Sequence, residues 1–307
     1  MSKQLHLNNL FLLIILSAIW GSAFIAIKIC VENIHPLSVA SIRLIIGAIV
    51  LFFFLLFRKV KVNLSINDII LFCFIGLIGN FIPFVLISWA EIYIKSNTAG
   101  VLLSIGPIFA LILSHFMTKD DKFTIIKLIS ILIGLLGVLF IIGFDTLNIF
   151  DTDDTKYLIP KVAIIISALG YVLSSIFAYN IKKIDSVTIT AAVTISAAII
   201  SLPFLVIVEI NYRSNFSISS LLPLLYLGIF PTAIAFLIRF YLISKTGPIF
   251  LSYVAYLIPV FAIIWGFIFL NETINISTFI GVVLVLLGVF ISQKKSMDKV
   301  SNNSISN

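Results

Sequence analysis

Three charged side chains stand inside strongly apolar sequence: Lys28, Arg43 and Glu91. A charge near the centre of a bilayer costs roughly 2.5–3.5 kcal/mol even on insertion scales, so such residues mark ion pairs, gates or solute paths. Arg43 is the deepest, while Lys28 and Glu91 lie near the ends of their stretches. Glu91 is expected to neutralise Lys28 or Arg43 in one charge cluster. That cluster acts as a fixed pair, as a gate that opens when the pair breaks, or as a cation that meets a substrate carboxylate. Helical spacing places Ser17, Gly21, Phe24 and Lys28 on one face with Trp20 at its edge, and Asn80, Pro83, Ile87 and Glu91 on another. Ser167, Tyr171 and Ser174 form a third face, and Tyr253 and Tyr256 stand a turn before Pro259. Rings with polar tips can clasp an amphiphilic solute. The same small residues and tyrosines also serve helix packing. Arg239, near the end of its stretch, is expected to be a topology and headgroup anchor.

Other chemistries lack their residues. There is no H-E-x-x-H, no G-x-S-x-G and no pair of carboxylates on one helix face, so no catalytic residue is expected, and an integral-membrane enzyme is the weakest reading. Asp120-Asp121 reads as a solvated turn. His6, His35 and His115 are scattered, and Cys30 and Cys73 imply neither disulfide nor metal site. No cofactor is expected, and the absence of G-x-x-x-x-G-K-[ST] argues against ATP-driven work. No acid occupies the middle third of a span, which favours exchange or facilitated diffusion and leaves Glu91 as the route to proton coupling.

The elements that must carry these residues are membrane helices. Hydrophobic residues make up 61% of the 307 residues and charged ones 11%, with a mean hydropathy of +1.22. A soluble domain of that length needs more charge to cover its surface. Ten spans of about 20 residues, the length that crosses the hydrocarbon core, fall at 9–29, 37–57, 69–90, 97–117, 124–143, 159–180, 187–208, 219–241, 247–270 and 275–292. The first is too long for a signal peptide and has no A-x-A-like cleavage site.

The spans form two sets of five. Residues 106–111, G-P-I-F-A-L, parallel 258–263, I-P-V-F-A-I, with an acid thirteen residues beyond each proline, at Asp120 and Glu272. Residues 131–140 parallel 282–291, aligning Gly137 with Gly288. An odd number of crossings per half turns the second half upside down, so the expected fold is all-α and integral to the membrane: ten transmembrane helices in two inverted five-helix repeats. The first repeat is 9–143, an acidic linker 144–158, the second repeat 159–292, and a polar disordered tail 293–307. Pro83, Pro107, Pro231 and Pro259 fall inside spans, where each removes a backbone donor and frees a carbonyl that protein or water must satisfy. Interrupted helices at related positions of two repeats point to a midplane binding site.

Basic residues set the orientation. Lys3, Arg58, Lys59, Lys61, Lys119, Lys122, Lys127, Lys182, Lys183, Arg239, Lys245, Lys294, Lys295 and Lys299 fall on the side of the N-terminus, with few on the other, so both termini are expected in the cytoplasm of a multi-pass protein of the cell (inner) membrane. The net charge of +7 is thus a topology signal, spread over short loops, and no nucleic-acid partner is expected.

These residues resemble the EamA-like branch of the drug/metabolite transporter superfamily. The likeness rests on W-G-S-A-F-I-A-I-K (Trp20 to Lys28), Arg43, W-A-E-I-Y-I-K-S (Trp89 to Ser96), the Pro107 and Pro259 helices, and N-E-T (Asn271 to Thr273). It covers residues 9 to 292. The resemblance implies a central cavity lined by helices one, three, four, six, eight and nine, alternating access, and a small metabolite such as an amino acid, often moved outward. Trp20, Gly21, Asn80, Trp89, Tyr171, Ser174, Tyr253 and Tyr256 are then the substrate-path candidates. The expected partners are a small-molecule substrate and the lipid bilayer, with the oligomeric state open and a monomer included. A lipid or lipid-linked carrier flippase uses the same fold, and a side opening between helices would mark it.

Overall fold

The structure, a computed structural model, describes residues 3–58, 64–143, 155–270 and 276–305. Lys59, Lys61, most of the expected linker, and the Asn271–Thr273 turn with Glu272 lie outside them. Among the described residues there is no strand. Ten rods follow one another: α1 (Lys3–Val31), α2 (Pro36–Arg58), α3 (Ile66–Tyr93), α4 (Thr98–Met117), α5 (Ile125–Ile142), α6 (Thr155–Asn180), α7 (Ser186–Tyr212), α8 (Ile218–Thr246), α9 (Pro248–Trp265) and α10 (Ile276–Ile305). The first nine each hold a stretch long and apolar enough to cross a membrane, and α10 adds the shorter apolar run Ile276–Ser292. α10 then continues through the polar residues expected as a tail.

Polar caps stand where the rods begin. Ser65 and Asp68 form a capping box at the start of α3. Thr124 accepts the Lys127 N–H at 3.3 Å at the start of α5, and Asp185 accepts the Val187 and Thr188 N–H groups at 3.0 Å at the start of α7. Each satisfies donors that the first helical turn leaves open. Gly143 and Gly247 end α5 and α8 at φ values of 94° and 88°, a backbone region that glycine enters without strain.

Cross-links between the turns establish the inversion. The α1–α2 turn bonds to the α7–α8 turn through Asn215 N–H to Asn33 O at 3.0 Å and His35 N–H to Ser214 Oγ at 3.1 Å. At the opposite face, Asn180 at the end of α6 donates to Met117 O at the end of α4 at 3.0 Å, and Ile249 N–H at the start of α9 donates to Asp121 at 2.9 Å. α1 and α7 therefore end on the same face, so α1 and α6, the opening rods of the two repeats, run in opposite directions. Packing follows the same symmetry: α1 lies against α8 and α9, and α6 lies against α3 and α4.

α5 and α10 close one side of the bundle as a tight pair. A Cβ on Gly137 would meet Gly281 O at 2.7 Å, and one on Gly288 would meet Ser130 O at 2.7 Å and Gly134 N at 2.9 Å. Small residues allow this approach, which supplies the dispersion contacts that hold helices together where lipid removes the hydrophobic drive.

Candidate functional site

The helix breaks recur in the two repeats, and they build the site. α3 contains the π-helical segment Leu77–Phe81 and α8 the segment Gly228–Ile234. α4 is interrupted between Leu103 and Gly106, and α9 between Ser252 and Val254. π segments at related positions loosen the ladder so that backbone groups can serve side chains.

In α8 the consequences run from proline to charge. Pro231 has no N–H to give to Leu227 O, and the π segment brings Thr232 to that carbonyl, which accepts from Thr232 Oγ1 at 2.8 Å. Thr232 Oγ1 in turn accepts from Arg43 Nε of α2 at 3.2 Å. Trp20 Nε1 of α1 donates to Pro231 O at 3.0 Å. Pro259 in α9 acts similarly. It leaves Ala255 O without its helical donor, and Ser104 Oγ from the α4 interruption reaches that oxygen at 3.2 Å.

Two arginines occupy the interior. Arg43 is 3% exposed, and its guanidinium lies 3.7 Å above the Phe84 ring centroid. Arg239 is 1% exposed. Its Nη2 donates to Ser174 Oγ at 2.6 Å, Ser175 Oγ at 3.2 Å and Tyr171 O at 3.2 Å, and its Nη1 donates to Asn80 Oδ1 at 3.4 Å. Neither pairs with a carboxylate: the ion pair found among the described residues is Lys127–Asp121 at 2.7 Å, in the turn after α4. Both cations face a cavity of about 110 Å³ between the repeats. Its walls include Trp20 and Phe24 of α1, Phe84 of α3, Tyr171 of α6 and Ile258 of α9, and no acid is among its lining residues. A water needs roughly 10–15 Å³ on this scale, so the space holds several waters or a small solute.

The comparisons with known proteins agree with this architecture. The family model described as "EamA-like transporter family" matches residues 8–143 and again 158–293. The chain belongs to the EamA-like transporter family. Among curated relatives, "Uncharacterized transporter YoaV" of Bacillus subtilis (strain 168) is 26% identical over 281 residues, covering 91% of this chain and 94% of that protein. An "Uncharacterized transporter" of Archaeoglobus fulgidus is 28% identical over 278 residues, covering 90% and 95%. A crystal structure superimposes with a TM-score of 0.75 at 17% identity, covering 93% of this chain and 96% of its own, a likeness of fold.

Within this EamA-like bundle the sequence candidates separate into groups. Trp20 and Tyr171 line the cavity, stacked with centroids 6.5 Å apart at 22°. Asn80 and Ser174 hold Arg239. Gly21 instead fits α1 against α9, where a Cβ would meet Phe261 Cβ at 3.0 Å. Trp89 packs on Tyr93 at 5.2 Å. Tyr253 pairs its hydroxyl with Ser130 Oγ at 2.7 Å, and Tyr256 donates to Ile131 O at 3.0 Å, so both hydroxyls serve the α9–α5 contact. Pro83 stands one residue beyond the α3 π segment, after Ile82, and Pro107 is the second residue of the second part of α4.

Lys28 Nζ donates to the backbone oxygen of Glu91 at 2.5 Å. The Glu91 carboxylate is fully buried, with the Lys28 ammonium and the Ser96 hydroxyl as its polar neighbours. Arg43 belongs with Thr232 and Phe84. Arg239 is not a headgroup anchor: the length of α8 and its π segment carry it inside, between Phe236 and Phe240. A cation flanked by those rings within an apolar run was the available signal. Among the described residues no group of three or more His, Cys, Asp or Glu is arranged to hold a metal.

Proposed function

We propose that this transporter is a secondary carrier that exports a small organic metabolite across the cytoplasmic membrane by alternating access, with both termini in the cytoplasm. The observation that carries the reading is the cavity between two inverted repeats, lined from both and walled by two buried cations. A solute held between two oppositely facing units is exposed to one side or the other as they rock. The test is efflux from proteoliposomes loaded with a metabolite extract, with external solutes identified by mass spectrometry. One compound or a small related set leaving faster than from empty vesicles supports the reading, and no difference removes it.

Glu91 and Lys28 form the proposed gate in the half of the bundle towards the α1–α2 turn. Lys28 stitches α1 to the end of α3, with the buried Glu91 carboxylate beside it. Glu91→Gln keeps the shape and removes the charge, so transport is expected to lose its pH dependence; wild-type rate and pH profile would take Glu91 out of the mechanism.

One observation favours the flippase reading. A groove of about 510 Å³ opens between α1, α8 and α9, lined by Ala18, Ser22, Ile25, Tyr226 and Trp265, with Ser22 and Tyr226 hydrogen-bonded at 2.5 Å. Translocation of a fluorescent lipid by the same vesicles would select that alternative.

A further inference from the structure

The central cavity has an unbalanced charge inventory. Arg43 comes from the first repeat and Arg239 from the second, each is almost wholly buried, and both reach the same cavity wall. Their protein acceptors are all neutral. Arg43 gives Nε to a threonine hydroxyl and lays its plane on Phe84. Arg239 is held by an amide, a carbonyl and two serine hydroxyls. A desolvated guanidinium surrounded by neutral dipoles recovers only part of its lost hydration, and the missing share is what an anion supplies. The planar fork suits a carboxylate or similar oxyanion better than a point cation would.

The same inventory excludes a second kind of group. No Asp or Glu lines the cavity, so an ammonium entering it would meet two like charges and no carboxylate. The remaining surface, Trp20, Phe24, Ile27, Ile87 and Leu251, suits a short carbon chain. Building on the transport reading above, we infer that the cavity takes a short organic dianion without an ammonium group, one acidic end directed to Arg43 and the other to Arg239. This narrows the solute away from zwitterionic amino acids and towards dicarboxylates and their oxyanion relatives.

Two matched pairs of probes test this on the full chain in lipid nanodiscs by calorimetry. Succinate against its monoamide, succinamate, removes one charge at constant size. Here 2-oxoglutarate against glutamate introduces the ammonium. The dianion of each pair is expected to bind about tenfold tighter or more, the effect of one charge-assisted contact. In Arg43→Gln and in Arg239→Gln the succinate preference is expected to fall to near unity, while Arg43→Lys retains part of it. Should either arginine variant fail to fold, the wild-type pairs decide by themselves: equal affinities within a pair, or tighter binding of glutamate, overturn the inference. Succinate counterflow in proteoliposomes separates the two readings. Dianions that bind with the stated preference and never cross leave the site assignment standing and remove the transport reading; a different solute that crosses while dianions fail to bind does the reverse.

Discussion

Thr232 shows how a single hydroxyl solves two problems of a membrane interior. It gives its hydrogen to the Leu227 carbonyl beside the proline break and its lone pair to Arg43. Thr232→Val keeps the shape and removes both roles. The expected loss is about 1–3 kcal/mol of stability from the unsatisfied groups, read as a lower midpoint of thermal unfolding in nanodiscs, with Thr232→Ser close to wild type. His35 provides the pH counterpart at the α1–α2 turn. Burial lowers its pKa, and the nearby Glu209 carboxylate offsets this only in part. Its Nδ1 accepts the Leu37 N–H at 3.2 Å, a role open to neutral imidazole alone. Folding thus favours the neutral form, and the associated stability is present above the ordinary histidine value, about 6.5, and fades as pH falls below it. Melting curves at pH 7.5 and 5.5 should show a drop in the wild type that is smaller in His35→Gln.

At the scale of elements, the interrupted helices were legible and their purpose was not. Pro83, Pro107, Pro231 and Pro259 announce lost donors in any apolar run. Which hydroxyl answers each open carbonyl depends on the neighbouring rod, as Ser104 of α4 answers Ala255 of α9. Faces drawn from ideal helical periodicity also drifted. α1 presents Trp20, Ala23, Phe24 and Ile27 to the cavity, whereas Gly21 turns to α9. Tyr253 and Tyr256, attractive as polar-tipped rings, find partners on α5. The glycines of α5 and α10 belong to packing. Gly288→Val drives a side chain into the α5 backbone and is expected to cost about 1–3 kcal/mol through overpacking. Protein that still folds should bind solute as the wild type does, because this seam lies away from the cavity; lost affinity at full folding would contradict that division.

For the whole molecule, the two repeats are latched at both ends. On one face Ser38 of α2 donates to Glu209 of α7, which also accepts from Ser214 at 2.6 Å. On the other, Asp121 joins Lys127 to the Ile249 N–H at the start of α9. The proposed rocking motion would have to open these latches in turn. In a background with Cys30 and Cys73 replaced by alanine, a disulfide between Ser38→Cys and Glu209→Cys, or between Asp121→Cys and Ile249→Cys, should stop flux and reduction should restore it. Flux unchanged by both bridges would exclude the rocking motion. What the sequence determined by itself was the solvent and the plan: apolar runs of bilayer length, an odd number per half, and prolines repeated between halves. These follow from composition and chain order, which bind any fold. The tertiary structure alone decided which buried charges line the same cavity. A helix of 29 residues with a π segment accumulates enough rotation that the direction of Arg239 cannot be counted from either end. Its place in the cavity wall, opposite the repeat that supplies Arg43, arises from the packing of α8 against its neighbours.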